Sequence, residues 1–306
     1  MVNRERESLY SQSKLDRLPI QDHVAEIREA ISRNSSVIVV GETGSGKTTR
    51  LPIILLNTLS PFSKIAITQP RRIAAVSIAR FVANQQRSLL GDEVGYQVRF
   101  DDLTILGTKL NFYTHGLVVR KMQGDTLLSE FDEVMVDEAH ERNLEADFLL
   151  GVLKDIQRKR KETGKELKIV IASATLEEEK FSSFFNSAPI IHIASRQYPV
   201  TINYEEAARN LPAAAAEKAK AIINKRDNGS VLIFMPGVEE ISATLRVLRQ
   251  LGLDQIALPL HGQLTPEEQD RVYKEEGQRI VVSTNIAETS LTIPNIKYVI
   301  DSGLIR

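Results

Sequence analysis

The sequence predicts an α/β protein with two domains, each built on a parallel sheet. Three observations carry this expectation. Short apolar runs alternate with stretches of helical spacing, as strands joined by crossover helices do. The whole pattern restarts near residue 200. The length, 306 residues, suits two domains of ordinary size.

Residues 1–17 read as a loose polar segment. Residues 21–33 place Val24, Ile27 and Ile31, beside Ala25 and Ala30, on one helical face. Residues 37–40 form an apolar run ended by Gly41, the pattern of a strand buried on both faces. Similar runs at 64–68, 133–137 and 168–172 predict strands, with helices at 73–83 and 146–158. At 196–201 the Tyr198-Pro199-Val200 stretch reads as an extended linker. Beyond it the spacing predicts a helix over 213–225, a strand over 230–235 ended by Pro236-Gly237, a helix over 238–251, and strands over 279–283 and 297–301. Domains are therefore expected at 18–198 and 199–306. The basic stretch 154–168 reads as a solvated helix end and turn rather than a nucleic-acid site.

Apolar residues make up 42% and charged residues 26%, an ordinary globular balance. The absence of cysteine excludes a disulfide framework and a thiolate metal site. No apolar run approaches the ~20 residues of a membrane span, and the N-terminal residues are too polar for a signal peptide. A cytoplasmic protein without a membrane partner is expected. With 39 basic and 40 acidic residues the body is not cationic, which leaves a local cationic strip as the means of holding nucleic acid.

Gly41-Glu42-Thr43-Gly44-Ser45-Gly46-Lys47-Thr48 fits the phosphate-loop pattern G-x-x-x-x-G-K-[ST]. It follows an expected strand and precedes an expected helix. Its glycines let successive backbone N–H groups point into one concavity at a helix N-terminus, where phosphates are held. Lys47 brings a positive charge to the β- and γ-phosphates, Thr48 offers its hydroxyl to Mg²⁺, and Thr49 extends the same turn. A glycine-rich turn after a strand is the plain alternative.

Asp137-Glu138-Ala139-His140 closes the strand begun at Glu133. A carboxylate at a strand's C-terminal end faces the same crevice as the phosphate loop. Asp137, with Glu138 facing the same ion, is the candidate for Mg²⁺. Glu138 is also the candidate to orient or deprotonate an attacking water. His140 joins Glu138 and Lys47 among the catalytic candidates. A zinc role for it is rejected, because no partner stands at metal-ligand spacing. An acidic helix start is the alternative reading of this stretch.

Taken in order, GETGSGKT (41–48), TQPRR (68–72), DEAH (137–140), SAT (173–175), LIFMPG (232–237) and STNIAETSLTI (283–293) resemble the DEAH-box RNA helicases of superfamily 2, in their bacterial form. The resemblance runs from about residue 18 to residue 306. It implies two RecA-like P-loop domains, with ATP and Mg²⁺ in the cleft between them and RNA across their top. Arg71 and Arg72 then correspond to contacts with the RNA backbone, and adjacent guanidinium forks do suit phosphodiesters. A surface arginine pair is the alternative. Ser173 and Thr175 correspond to residues that link nucleotide state to domain closure. Thr284 and Asn285 correspond to RNA-backbone contacts of the second domain, and Thr289 to a position bordering the nucleotide. Arg80 and Tyr273 match the pair that sandwiches the base, which implies low base selectivity and use of GTP, CTP and UTP as well.

The chain also departs from the family. His115 stands where an acidic residue is usual, beside Thr114 in the RNA-contact loop. Pro294 replaces an acidic residue near the ribose. The family's arginine-rich motif does not occur before Arg306. The second domain is therefore expected to be incomplete, its arginine fingers unassigned and its hydrolysis slow. Two classes stand: an ATP-dependent RNA helicase motor, and a non-catalytic module that binds nucleotide and RNA. RNA is the expected partner; DNA and a protein activator are left open.

Overall fold

The computed structural model describes residues 18–304, apart from 59, 61, 175, 176, 195–198, 207, 226, 275, 276, 289–292 and 294. The chain divides into two compact units at Tyr198/Pro199. Among the described residues no helix is long and apolar enough to cross a membrane.

In the first unit a 3-10 turn, Pro19–His23, leads into α1 (Val24–Arg33), then β1 (Ser36–Val40) and α2 (Lys47–Leu56). β2 (Ile65–Gln69) is followed by α3 (Arg72–Gln85), β3 (Val94–Val98), β4 (Asp101–Leu103) and β5 (Leu110–Thr114). α4 (His115–Lys121) leads to β6 (Glu133–Val136) and the long α5 (Leu144–Glu162). β7 (Lys168–Ser173), α6 (Glu178–Phe184) and β8 (Ile190–His192) complete it. The sheet order is β4-β3-β5-β2-β6-β7-β1-β8, parallel except where β4 pairs antiparallel with β3.

Alternation along each strand splits the core in two. Val37, Val39, Ile65, Ile67, Val170 and Ala172 face a layer that holds residues of α1, α2 and α3. Ile38, Val40, Ala66, Val134, Val136, Ile169 and Ile171 face the opposite layer of α4, α5 and α6. Both faces are covered, so the strands read as continuous apolar runs. Parallel strands also end together. The phosphate loop after β1, Arg71 after β2, Thr114 at the end of β5, Asp137 after β6 and Ser173 at the end of β7 therefore share one edge of the sheet.

The basic stretch 154–168 is not wholly solvated, which corrects the sequence reading. Arg160 is 4% exposed and donates to the backbone carbonyls of Lys165 (2.7 Å), Leu128 (3.1 Å) and Phe131 (2.6 Å). Its guanidinium supplies a donor to the Lys165 and Phe131 carbonyls and adds a second to the Leu128 carbonyl, which also accepts the Phe131 N–H at 3.0 Å, and charge alone does not reveal that.

The second unit runs α7 (Leu211–Ile223), β9 (Ser230–Phe234), α8 (Val238–Gln250), β10 (Ala257–Leu260), α9 (Pro266–Lys274), β11 (Ile280–Ser283) and β12 (Ile296–Asp301). Its described strands are parallel in the order β10-β11-β9-β12. Ala215, Ala216, Ala219 and Ile222 of α7 pack with Ile241 and Leu248 of α8 on Val231, Ile233, Ile280 and Val282. The small alanines let α7 lie close to the sheet.

Candidate functional site

The phosphate loop needs its glycines for backbone reasons. Gly46 has φ +99°, and a Cβ there would meet Ile20 Cγ2 at 2.7 Å. Gly44 has φ +85°, again in the left-handed region. Gly46 forms the N-cap of α2, so the loop delivers the first N–H groups of that helix to the sheet edge. Lys47, the first residue of α2, is buried and folds back onto its own loop. Its Nζ donates to the carbonyl of Gly41, to that of Glu42 (3.0 Å) and to Ser45 Oγ (3.3 Å). Burial pushes its pKa down, while the charges of Asp137, Glu138 and Glu42 oppose that shift. Thr48 and Thr49 are half-buried in the first turn of α2, and Thr43 is exposed on the loop.

Asp137 is fully buried and held on every side. Gln69 Nε2 donates to its Oδ2 at 2.8 Å, and the Glu138 N–H donates to its Oδ1 at 2.9 Å. Its own N–H donates to the Thr68 carbonyl at 3.1 Å. His115 Nε2 lies 3.2 Å from its carbonyl oxygen, which accepts the ring N–H. The following turn is strained: Glu138, Arg142 and, across the edge, Glu177 adopt φ of 53°, 47° and 68°. Such non-glycine conformations persist where surrounding contacts over-determine them, and they cluster at working sites. Here Arg142 grips Asp147 with two donors, at 2.8 and 3.1 Å, and pairs with Glu177.

His140 joins the two halves of this edge. Its Nδ1 accepts the Ala174 N–H at 3.2 Å. The same nitrogen lies 3.5 Å from Glu138 Oε2. A nitrogen that accepts from an amide carries no proton, so this longer contact is not a hydrogen bond. Burial, the leading cause of its lowered pKa, favours the neutral ring in agreement.

Several buried polar atoms at this edge find no protein partner among the described residues: Thr68 Oγ1, Gln69 Oε1, His115 Nδ1 and Ser173 Oγ. Buried polar groups are nearly always paired, so a concentration at one edge calls for a reason. The C-terminal edge of a parallel sheet is where such folds take their ligands.

The remaining sequence candidates fall as follows. Arg71 is the N-cap of α3, and Arg72, its first residue, is exposed. Thr114 caps α4 and is half-buried. Arg80 lies on α3 beside the Tyr96 hydroxyl, which donates to Asp101 at 2.8 Å. In the second unit Thr284 is half-buried and Asn285 exposed, directly after β11. Tyr273 is placed on α9 by its backbone alone. Thr175, Thr289 and Pro294 lie outside the described residues. The first unit thus brings together the phosphate loop, Asp137, Glu138, His140 and Ser173. Sequence reasoning missed the Gln69, His115 and Arg142–Glu177 contacts. Gln69 stood inside the TQPRR motif, and that was its only signal.

Comparison with known proteins bears on the family and the fold. The DEAD/DEAH box helicase model matches residues 19–183, and the helicase conserved C-terminal domain model matches residues 214–305. The chain is 41% identical over 300 residues to the ATP-dependent RNA helicase HrpA of Borreliella burgdorferi, covering 95% of this chain and 36% of that protein. It is 39% identical over 303 residues to the human ATP-dependent RNA helicase DHX33, covering 94% of this chain and 43% of that one. The crystal structure of the Escherichia coli DEAH/RHA helicase HrpB superposes with a TM-score of 0.82 at 34% identity, over 93% of this chain and 36% of that chain. The chain spans less than half the length of these relatives. The first of the two models covers more than half of the chain, and the chain belongs to the DEAD/DEAH box helicase family.

Proposed function

We propose that this chain is the motor of an ATP-dependent RNA helicase, which couples hydrolysis of a magnesium-bound nucleoside triphosphate to movement along RNA. The supporting observation is the convergence, at one sheet edge, of a buried lysine on a glycine loop, a buried and fully oriented aspartate, and unpartnered polar atoms. A cation and a carboxylate that feel each other's charge here suit a ligand that is itself an anion carrying a cation.

In this reading Gly41 to Thr48 cradle the phosphates and Lys47 turns from its loop acceptors to the β- and γ-phosphates. Thr48 and Asp137 would hold Mg²⁺, with Glu138 beside it, and the ion would spread the charge of the phosphates. Gln69 and the Glu138 N–H fix the Asp137 carboxylate before any ligand arrives, so little reorganisation is needed. Glu138 orients the attacking water and takes its proton. His140, bonded to the Ala174 N–H, passes the state of this turn to Ser173 and Thr175. Arg71, Arg72, Thr114, Thr284 and Asn285 contact the RNA backbone. Arg80 and Tyr273 stack on the base and Thr289 borders the nucleotide, so GTP, CTP and UTP serve too. A cytoplasmic location fits this reading.

The test is strand separation. The full-length protein is expected to unwind a short RNA duplex with a single-stranded overhang in Mg-ATP, and a Lys47→Ala variant is not. A protein that binds nucleotide and RNA but separates no strands and releases no phosphate would favour the non-catalytic module.

A further inference from the structure

His115 borders a motif, and the reading above leaves its chemistry unused. It is 0% exposed. It begins α4 directly after Thr114, the N-cap at the end of β5. Its Nε2 reaches the carbonyl of Asp137, 3.2 Å away. β5 and β6 are not neighbours, because β2 lies between them. The imidazole therefore spans an intervening strand and ties two strand ends that share no ladder. A carbonyl oxygen only accepts, so Nε2 carries the proton. Nδ1 is then a buried acceptor without a partner among the described residues. Leaving such an atom unpaired costs about 1–3 kcal/mol. A ring that served only to fill space would do so more stably as leucine.

We propose that His115 is a positioning residue that transmits RNA contact at Thr114 to the Mg²⁺-binding Asp137. The inference rests on the helicase reading and deepens it. RNA drawn against Thr114 moves the first turn of α4. The imidazole moves with that turn and shifts the Asp137 peptide, whose carboxylate Gln69 holds separately. The water-activating Glu138 follows in the chain, with its N–H bonded to Asp137 Oδ1.

The test uses the full-length protein as wild type, His115→Leu and His115→Asn. Phosphate release at saturating Mg-ATP is measured with and without single-stranded polyuridine RNA. The Leu variant is expected to lose about tenfold of the RNA-stimulated rate, the usual scale for a lost orienting contact. The ratio of stimulated to unstimulated rate falls with it, a change that a general loss of fold would not produce. The Asn variant, whose amide still donates to the carbonyl, recovers most of the loss. Equal loss in both variants, or full stimulation in the Leu variant, overturns the proposal. Hydrogen exchange on the wild-type protein decides the matter even where a variant does not fold. RNA without nucleotide is expected to slow exchange across residues 133–141, and unchanged exchange there with RNA bound overturns the proposal. A wild-type protein that binds RNA without any stimulation sinks the helicase reading as well, whereas stimulation that ignores His115 sinks this inference alone.

Discussion

Lys47 shows how a single charge is kept available. Its ammonium is buried, yet the carbonyls of Gly41 and Glu42 and the Ser45 hydroxyl hold it at the loop mouth. The negative field of Asp137, Glu138 and Glu42 opposes its loss of a proton. In the proposed function, incoming phosphates would replace those acceptors with stronger, charged ones. Lys47→Ala leaves backbone donors only. It is expected to weaken binding of a fluorescent Mg-nucleotide by at least about tenfold, since a hydrogen bond to a charged group is worth about 1.5–3 kcal/mol. Unchanged affinity would contradict the assignment. Glu133, at the other end of β6, is a contrasting case. Neither of its carboxylate oxygens has a partner among the described residues, and burial pushes its pKa up to about 8 against the pull of Lys168. The folded state thus keeps a proton that the unfolded chain releases near the ordinary value of 4.5. The stability tied to neutral Glu133 is full below that value and is lost as pH rises towards and through about 8. Glu133→Gln cannot ionise. Its melting temperature is expected to fall less than that of wild type between the two pH values, and a parallel decline would refute a buried neutral carboxyl.

At the scale of elements, legibility followed the apolar runs. β1, β2, β6 and β7 were all readable, because central parallel strands are apolar on both faces. β3 and β5 were not. Gly95 and Gln97 interrupt the first, and Asn111 sits buried inside the second, bonded to the Thr108 and Lys109 carbonyls. β10 contains Pro259, a residue that argues against a strand. Among the described residues the strand pairs only with β11, and at a sheet edge a missing N–H costs little. The end of α5 misled in the opposite direction: a run of lysines and arginines looked like a solvated face, and Arg160 turned inward. Arg160→Ala would remove three hydrogen bonds and leave the Lys165 and Phe131 carbonyls without this donor, while Leu128 keeps the Phe131 N–H. A loss of about 3 kcal/mol in urea unfolding of the protein is expected. A loss below about 0.5 kcal/mol would show that water serves these carbonyls as well as the guanidinium does.

At the scale of the whole molecule, motifs scattered from residue 41 to residue 173 of the first unit meet because parallel strands end on one edge. The motif order therefore pointed to this edge, while the wiring within it stayed hidden. Nothing in sequence spacing brings Gln69 to Asp137, His140 to Ala174, or Arg142 to Glu177. On the proposed reading, the near-neutral charge, 39 basic against 40 acidic residues, leaves RNA to be held by few local contacts. RNA affinity is then expected to fall with salt through backbone phosphates alone. Changing Arg71 and Arg72 together to alanine should flatten that slope by about one to two, alike for all sequences. A sequence-selective loss would show that they read bases instead.

The central claim is that this edge hydrolyses a nucleotide on behalf of bound RNA. It is tested most directly by phosphate release from Mg-ATP, with and without RNA, in the wild-type protein and in Glu138→Gln. Glutamine keeps the shape of the side chain but takes no proton from water. The account predicts RNA-stimulated release in the wild type, a fall of about 10²–10⁴ in the variant, and equal nucleotide affinity in both. Wild-type rates in Glu138→Gln, or release from the wild type that RNA leaves unchanged, would contradict it.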